Sequence, residues 1–261
     1  MSLNVLIVEG NNPKDSEVFT RVAKASCAEN LKNVVLKLEP TSKTTIINPA
    51  SENDTNKVLE NMDQYNGIIF TGGAMRLNDM TDVIKKHINF ASNCFKHNNK
   101  ILAICWGLQV CSAAAGGKVA PGKNGAHIGI ATDVEINENG KKNPIYKNKK
   151  LKFNTPAFNF DEVSELPKGA TLLASDKVNN IMGVYFKSAN SEVWGLQYHP
   201  DYEYWQMINL SNERMGKMIA KEYFKNEEAF KKHIDFIKSE EKSLDFEDKT
   251  YEIQNWLNII R

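Results

Sequence analysis

The sequence predicts a three-layer α/β fold, a mostly parallel sheet with helices on both faces, followed by a C-terminal helical extension. Three observations carry this. Asn4–Val8, Gly67–Thr71 and Ile101–Ile104 are short runs that are apolar almost throughout, as strands buried on both faces must be. They alternate with stretches of helical period, and parallel strands need such crossovers. From Glu203 onward the pattern is helical without further strands. For 261 residues, one α/β domain over 1–203 with an extension over 204–261 packed on it is the natural division.

In order, Asn4–Val8 is read as the first strand, broken by Asn11-Asn12-Pro13 before a helix marked by Val18, Val22 and Ala25. Val34–Leu38 is read as a strand, the polar stretch 40–56 as a loop and residues 57–62 as a short helix. After the strand Gly67–Thr71, residues 80–98 form a helix with Val83, Ile84, His87, Ile88 and Phe95 on its apolar side, which makes His87 a packed histidine. His97 and His233 carry no signal. Beyond Gly117 come short strands or hairpins: His127–Ile136, Leu151–Phe153, Thr171–Ala174, Ile181–Phe186 and Val193–Gln197. Between them Lys141, Lys142, Lys147, Lys149, Lys150 and Lys152 read as a solvated loop. In the extension, Met207, Met215, Met218, Ile219 and Tyr223 share one face, Phe230, Ile234 and Ile237 a second, and Ile253, Trp256, Leu257 and Ile260 a third. Such stripes serve as core or as the contact of a homodimer.

The chain is organised around Ile101–Gly117, where a buried strand meets a helix and Cys105 stands at the joint. Leu108, Cys111 and Ala115 recur at helical spacing until Gly116-Gly117 ends the helix. Small residues on both sides of the cysteine, Ala103 and Gly107, permit the tight turn that lifts a nucleophile above a sheet. Unpaired N–H groups and the dipole of a helix start favour the thiolate, which is the nucleophilic form. Gly72-Gly73 follows another strand, so both segments lie at the carboxyl ends of strands, where ligands sit in such sheets.

Ala103-Ile-Cys-Trp-Gly-Leu-Gln109 resembles the nucleophile segment of the class I glutamine amidotransferases, usually Gly-Ile-Cys-x-Gly-x-Gln. Gly67–Gly73, Asp161–Ala174 and Gly195–Asp201 follow in that family's order and spacing, so the resemblance covers about residues 4–203. Within the family the chain is similar to the glutaminase part of GMP synthase. The resemblance implies a flavodoxin-like fold, with Cys105, His199 and Asp201 as the catalytic triad and the N–H groups of Gly73 and Trp106 as the oxyanion hole. Gly72 and Gln109 would help hold substrate. One imidazole can serve as base and acid, and a carboxylate orients it.

Four positions depart from the family pattern. His199-Pro200-Asp201 stands for His-Pro-Glu, one methylene shorter, which makes Glu203 the alternative orienting group. Ala103 replaces the first elbow glycine. Phe158-Asn159-Phe160-Asp161 lacks the histidine of Ser-His-x-Asp, and His127 precedes Ile128-Gly129 where a glutamate is usual before the glycine.

Composition narrows the function classes. Hydrophobic content of 41% and charged content of 25% are those of an ordinary soluble protein. A net charge of +1 offers no field for nucleic acid or a membrane surface. Cys27, Cys94, Cys105 and Cys111 show no paired or zinc-ligand spacing, so neither metal nor cofactor is expected and a reducing cytoplasm is the expected compartment. The leading expectation is a glutaminase that hydrolyses glutamine through a γ-glutamyl thioester and supplies ammonia to a synthase subunit in trans. Its site would be incompletely organised until that partner docks near Gly72–Met75, Trp106 and Asp201–Tyr204. The alternative is a free-standing hydrolase of γ-glutamyl amides or peptides using the same residues.

Overall fold

A computed structural model of the chain describes residues 2–51, 55–97 and 99–261. In chain order the elements are β1 (Asn4–Val8), α1 (Pro13–Ala23), α2 (Cys27–Leu38), β2 (Lys43–Ile47), α3 (Thr55–Glu60), β3 (Gly67–Phe70), α4 (Asp82–Cys94), β4 (Lys100–Ile104) and α5 (Trp106–Ala114). The central part holds β5 (Lys118–Pro121), β6 (His127–Ile128), β7 (Ala131–Ile136), α6 (Glu138–Lys142), β8 (Lys152–Thr155), β9 (Phe158–Asn159) and β10 (Asp161–Glu165). Then come β11 (Thr171–Ser175), β12 (Gly183–Ser188), β13 (Ser191–Leu196), α7 (Tyr204–Ala220), α8 (Glu227–Glu241) and α9 (Phe246–Ile259).

Nine strands form one sheet in the order β2-β1-β3-β4-β13-β12-β11-β7-β8. From β2 to β13 every pairing is parallel, and from β13 to β8 every pairing is antiparallel. The parallel half is apolar on both sides because both sides are covered. Val5 and Ile7 of β1 join a core with α2 and α9, whereas Leu6 and Val8 join one with α3, α4 and α5. This is the predicted three-layer arrangement.

Two predicted elements exchange places. Val34–Leu38 is not a strand but the end of α2, whose buried Cys27, Ala28, Leu31, Val34 and Val35 fall on one helical face. Ser26 caps it by accepting from the Glu29 N–H at 3.2 Å. A β-branched run that would suit a strand is thus overridden by the longer helical period. The edge strand β2 lies instead within the stretch read as a loop, parallel to β1; residues 52–54 of that stretch, and Asn98 at the end of the helix read over 80–98, lie outside the described residues. Only its last two residues, Ile46 and Ile47, are apolar, one toward each core, and Lys43-Thr44-Thr45 before them gives a weak sequence signal.

The lysine-rich segment is also less solvated than expected. Lys149 is buried, 3.0 Å from Glu252 of α9, while Lys150 pairs with Asp248 at 2.7 Å. Part of the segment therefore clamps α9 to the body of the chain.

Helix α9 is a core element. Ile253, Trp256 and Leu257 are fully buried, and a Cβ built on Gly67 would lie 2.6 Å from the Trp256 ring, so only glycine at the start of β3 admits the indole. Trp256→Ala is expected to cost about 3–5 kcal/mol of unfolding free energy, read from urea denaturation, because the sheet cannot collapse into the space left. Gly67→Val should destabilise through overpacking at the same contact.

Candidate active site

The parallel strands β3, β4 and β13 end side by side, and their C-terminal connections carry the site. Cys105 follows β4 with φ 51 and ψ −108, a backbone conformation that costs a non-glycine residue about 1–3 kcal/mol. Its N–H donates to the Leu196 carbonyl of β13 at 2.6 Å, which ties the turn to the neighbouring strand. The next residue, Trp106, opens α5 with an N–H that has no intrahelical acceptor. Gly107 lets the helix descend onto β3, since a Cβ there would stand 2.4 Å from the Phe70 carbonyl oxygen. Ala103, in place of the elbow glycine, is fully buried and paired with Gly195 across β4 and β13.

His199 leaves the end of β13 and is held by its N–H, which donates to the Pro156 carbonyl at 2.8 Å. Its Nδ1 lies 3.1 Å from Asp201 Oδ1. The shorter carboxylate therefore reaches the ring. Asn30 of α2 donates to the Asp201 carbonyl at 2.7 Å, and Tyr202 packs edge-on against the imidazole with centroids 4.9 Å apart. Glu203 is directed elsewhere: it caps α7 through a capping box with Gln206 and pairs with buried Lys249. On the other side the ring rests on Gly72, where a Cβ would be 2.5 Å from His199 Cε1.

With Nδ1 turned to Asp201, Nε2 is the ring nitrogen left for the sulfur. Burial alone would lower the His199 pKa, but the charges of Cys105 and Asp201 and their hydrogen bonds outweigh it and push it up to about 10. Burial pushes the thiols of Cys27, Cys94 and Cys111 up instead, holding all three protonated within the packing. Cys105 thus differs from the other cysteines in having an imidazole as a hydrogen-bond partner.

Gly73 stands on a loop supported from the β1 end. Asn11 Oδ1 accepts from the Ala74 N–H at 2.7 Å, and Gly10 donates to Thr71 Oγ1 at 2.8 Å. A Cβ on Gly73 would sit 2.6 Å from the Gly10 carbonyl oxygen. Gln109 is buried, and its side-chain amide donates to the Asp161 carbonyl at 2.9 Å, bracing the segment that Arg76 also holds through an ion pair with Asp161.

Three contributors carry little signal in the sequence. Gln197 donates to Cys105 Sγ at 3.5 Å, and the Phe158 carbonyl lies 3.7 Å from the same sulfur. Arg214 of α7 joins Gly73, Phe158, His199 and Tyr202 around a small pocket. It follows Met207 and Leu210 at i+7 and i+4, so a cation on an apolar stripe was the available clue.

The two departures at His127 and Asn159 prove to be partners. His127 Nδ1 is 2.9 Å from Asn159 Oδ1, and its Nε2 is 2.8 Å from Asp176. The substitutions therefore join each other in a buried cross-brace. His87 is packed edge-on against Trp106 and, by burial, lowered to about pKa 4, so it is neutral. Among the described residues no cluster of three His, Cys, Asp or Glu side chains is placed to hold a metal ion.

Comparison with known proteins shows the family of the chain. The glutamine amidotransferase class-I family model matches residues 23–206. The chain belongs to the class I glutamine amidotransferases. This amidotransferase is 27% identical over 220 residues to a gamma-glutamyl-L-1-hydroxyisopropylamide hydrolase of a Pseudomonas species, covering 83% of this chain and 74% of that one. It is 30% identical over 178 residues to the glutamine-hydrolyzing GMP synthase subunit of Methanococcus vannielii, covering 66% of this chain and 80% of the relative. Its fold matches a crystal structure of a glutamine amidotransferase from Thermotoga maritima with a TM-score of 0.70 at 16% identity, over 100% of this chain and 98% of the other. Members of this family act through a cysteine nucleophile, and the amidotransferase described here is such an enzyme.

Two outcomes test the geometry. Gly72→Ala should displace the His199 ring and lower turnover at least tenfold with little loss of stability, as kinetics and urea titration would read. Because the His199 pKa lies above its ordinary 6.5, the stability contributed by its ion pair is whole below about pH 6.5 and is lost as pH rises toward 10. Urea midpoints between those values should fall with pH in the wild type and fall less in Cys105→Ala.

Proposed function

We propose that the protein hydrolyses γ-glutamyl carboxamides, glutamine being the smallest, through an acyl-enzyme on Cys105. The observation that carries this is the pairing of a cysteine in a strained strand–helix turn with an imidazole that Asp201 orients. Cys105 Sγ attacks the side-chain carbonyl, and the oxyanion is met by the N–H groups of Gly73 and Trp106. His199, already protonated beside the sulfur, gives its proton to the departing ammonia or amine. Water, deprotonated by the now neutral His199, then attacks the thioester, the C–S bond breaks, and glutamate leaves as the thiolate is restored. Gly72 keeps the imidazole in place by its lack of a side chain, and Gln109 holds the Asp161 segment that closes the substrate side.

A free-standing hydrolase of γ-glutamyl amides is the better supported form of this reading. Helix α7 of the same chain, through Met207, Leu210 and Arg214, walls the pocket beside Gly73 and His199, which supports a site built from one chain. The Pseudomonas relative acts, by its name, on a γ-glutamyl amide. The similarity to the glutamine-hydrolyzing GMP synthase subunit favours the second reading, a glutaminase that passes ammonia to a synthase in trans.

The purified chain alone decides between them. Turnover of γ-glutamyl amides or peptides with kcat/KM at least tenfold above that for glutamine is the expected result. Slow hydrolysis confined to glutamine and stimulated by a synthase would establish the second reading instead. In either case Cys105→Ala and His199→Ala should remove activity by about 10⁴-fold or more, and Asp201→Asn should leave a measurable residue. Cys111→Ala should remain labelled at Cys105 by an electrophilic glutamine analogue; loss of that label with the fold intact would overturn the assignment of the nucleophile.

A further inference from the structure

The chain has four arginines, and three of them meet carboxylates: Arg21 pairs with Glu213 at 2.6 Å, Arg76 with Asp161 and Arg261 with Glu39. Arg214 has no ion pair or hydrogen bond among the described residues. It is nevertheless half-buried, with its guanidinium 5.0 Å from the centroid of the Phe158 ring and 5.8 Å from that of Phe19. Burial lowers its pKa, while Asp15, Cys27, Tyr202 and Cys105 act on it electrostatically without reaching it. An arginine stays protonated under such a shift, so a cation stands partly desolvated in the pocket beside His199, near the rings of Phe158 and Phe19.

A guanidinium taken from water without a carboxylate is costly, and the same chain satisfies its other arginines. The position of Arg214 indicates the missing partner. It shares its pocket with Gly73, on the proposed oxyanion loop, and with His199, on the leaving-group side. The γ-carbonyl carbon and the α-carboxylate carbon of a glutamyl group are about 5 Å apart when extended, so a group that binds the carboxylate belongs within a few ångströms of the reacting carbonyl. The pocket has about 20 Å³ of space, room for roughly one water, so a substrate group entering it must displace part of its lining. Phe158 also places its carbonyl beside Cys105 Sγ, so the side chain on which Arg214 rests belongs to the segment lining the nucleophile.

We propose that Arg214 is a specificity residue that binds a carboxylate of the substrate, so that the enzyme selects γ-glutamyl compounds carrying a free carboxylate near the scissile amide. The assignment rests on the reaction proposed above. The carboxylate has two sources, the α-carboxylate of the γ-glutamyl group or that of a departing amino acid, and the recognition chemistry is the same: a planar fork of N–H donors on two oxygens.

The test compares wild type with Arg214→Met and Arg214→Lys on two matched pairs. The first is γ-glutamyl p-nitroanilide against its α-carboxamide analogue, and the second γ-glutamylglycine against γ-glutamylglycinamide. The wild-type preference for the acid, as a ratio of kcat/KM, should fall by about 10- to 100-fold in Arg214→Met within one pair, which identifies the carboxylate. Arg214→Lys should retain part of it, and the ratio is insensitive to a uniform loss of folded enzyme. Ratios unchanged in both pairs would overturn the proposal. If the wild type turns over none of the four compounds, the proposed reaction fails, and Arg214 is judged by binding alone. Glutarate should then slow iodoacetamide alkylation of Cys105 in the wild type and do so at least tenfold less well in Arg214→Met; equal protection, or none in the wild type, rejects the site.

Discussion

The site depends on one constraint, the left-handed backbone of Cys105 at the junction of β4 and α5. A residue in that conformation persists only where its surroundings over-determine it. Here the Leu196 carbonyl takes its N–H, β4 lies between β3 and β13 in parallel register, and Gly107 brings the helix to within contact of the Phe70 carbonyl. The strain is small beside the burial of the strands and α5, so the core stabilises the turn that chemistry requires. Alignment of three strand ends also brings Gly72-Gly73 and His199 to the cysteine.

Close approach is the second theme. Gly10, Gly72, Gly73 and Gly107 are each crowded by a carbonyl or by the imidazole itself. Their lack of a side chain lets the strand ends and the imidazole come within contact distance, and several side-chain amides hold the adjoining backbone there. Asn11 serves the Gly73 loop, Asn30 the Asp201 backbone, and Gln109 the Asp161 carbonyl. Such a network is stable when its members are satisfied, and the cross-brace of His127, Asn159 and Asp176 shows how two substitutions can remain compatible by bonding to each other.

The C-terminal helices have two distinct effects. Helix α9 completes one face of the sheet through Trp256 and is clamped by Lys149. Helix α7 is anchored at its start by Glu203 and Lys249 and reaches the catalytic pocket with its middle. Met207, Leu210 and Arg214 of this pocket thus come from the part of the chain with the least motif content.

The sequence by itself determined the layered α/β class, the elbow at Cys105 and the family. Apolar runs, helical periods and short motifs are local, and local patterns survive in one dimension. The Val34–Leu38 run misled because a β-branched string is ambiguous until the helical face it completes, beginning at Cys27, is considered as a whole. The edge strand β2 was hidden because only two of its five residues, Ile46 and Ile47, are apolar. Only the tertiary structure decided that Asp201 rather than Glu203 meets His199, since two residues of separation do not say which carboxylate the chain turns toward the ring. It also decided that Gln197 and Phe158 lie beside Cys105 and Arg214 beside His199, because contacts between segments far apart in sequence arise from packing and leave no spacing to read.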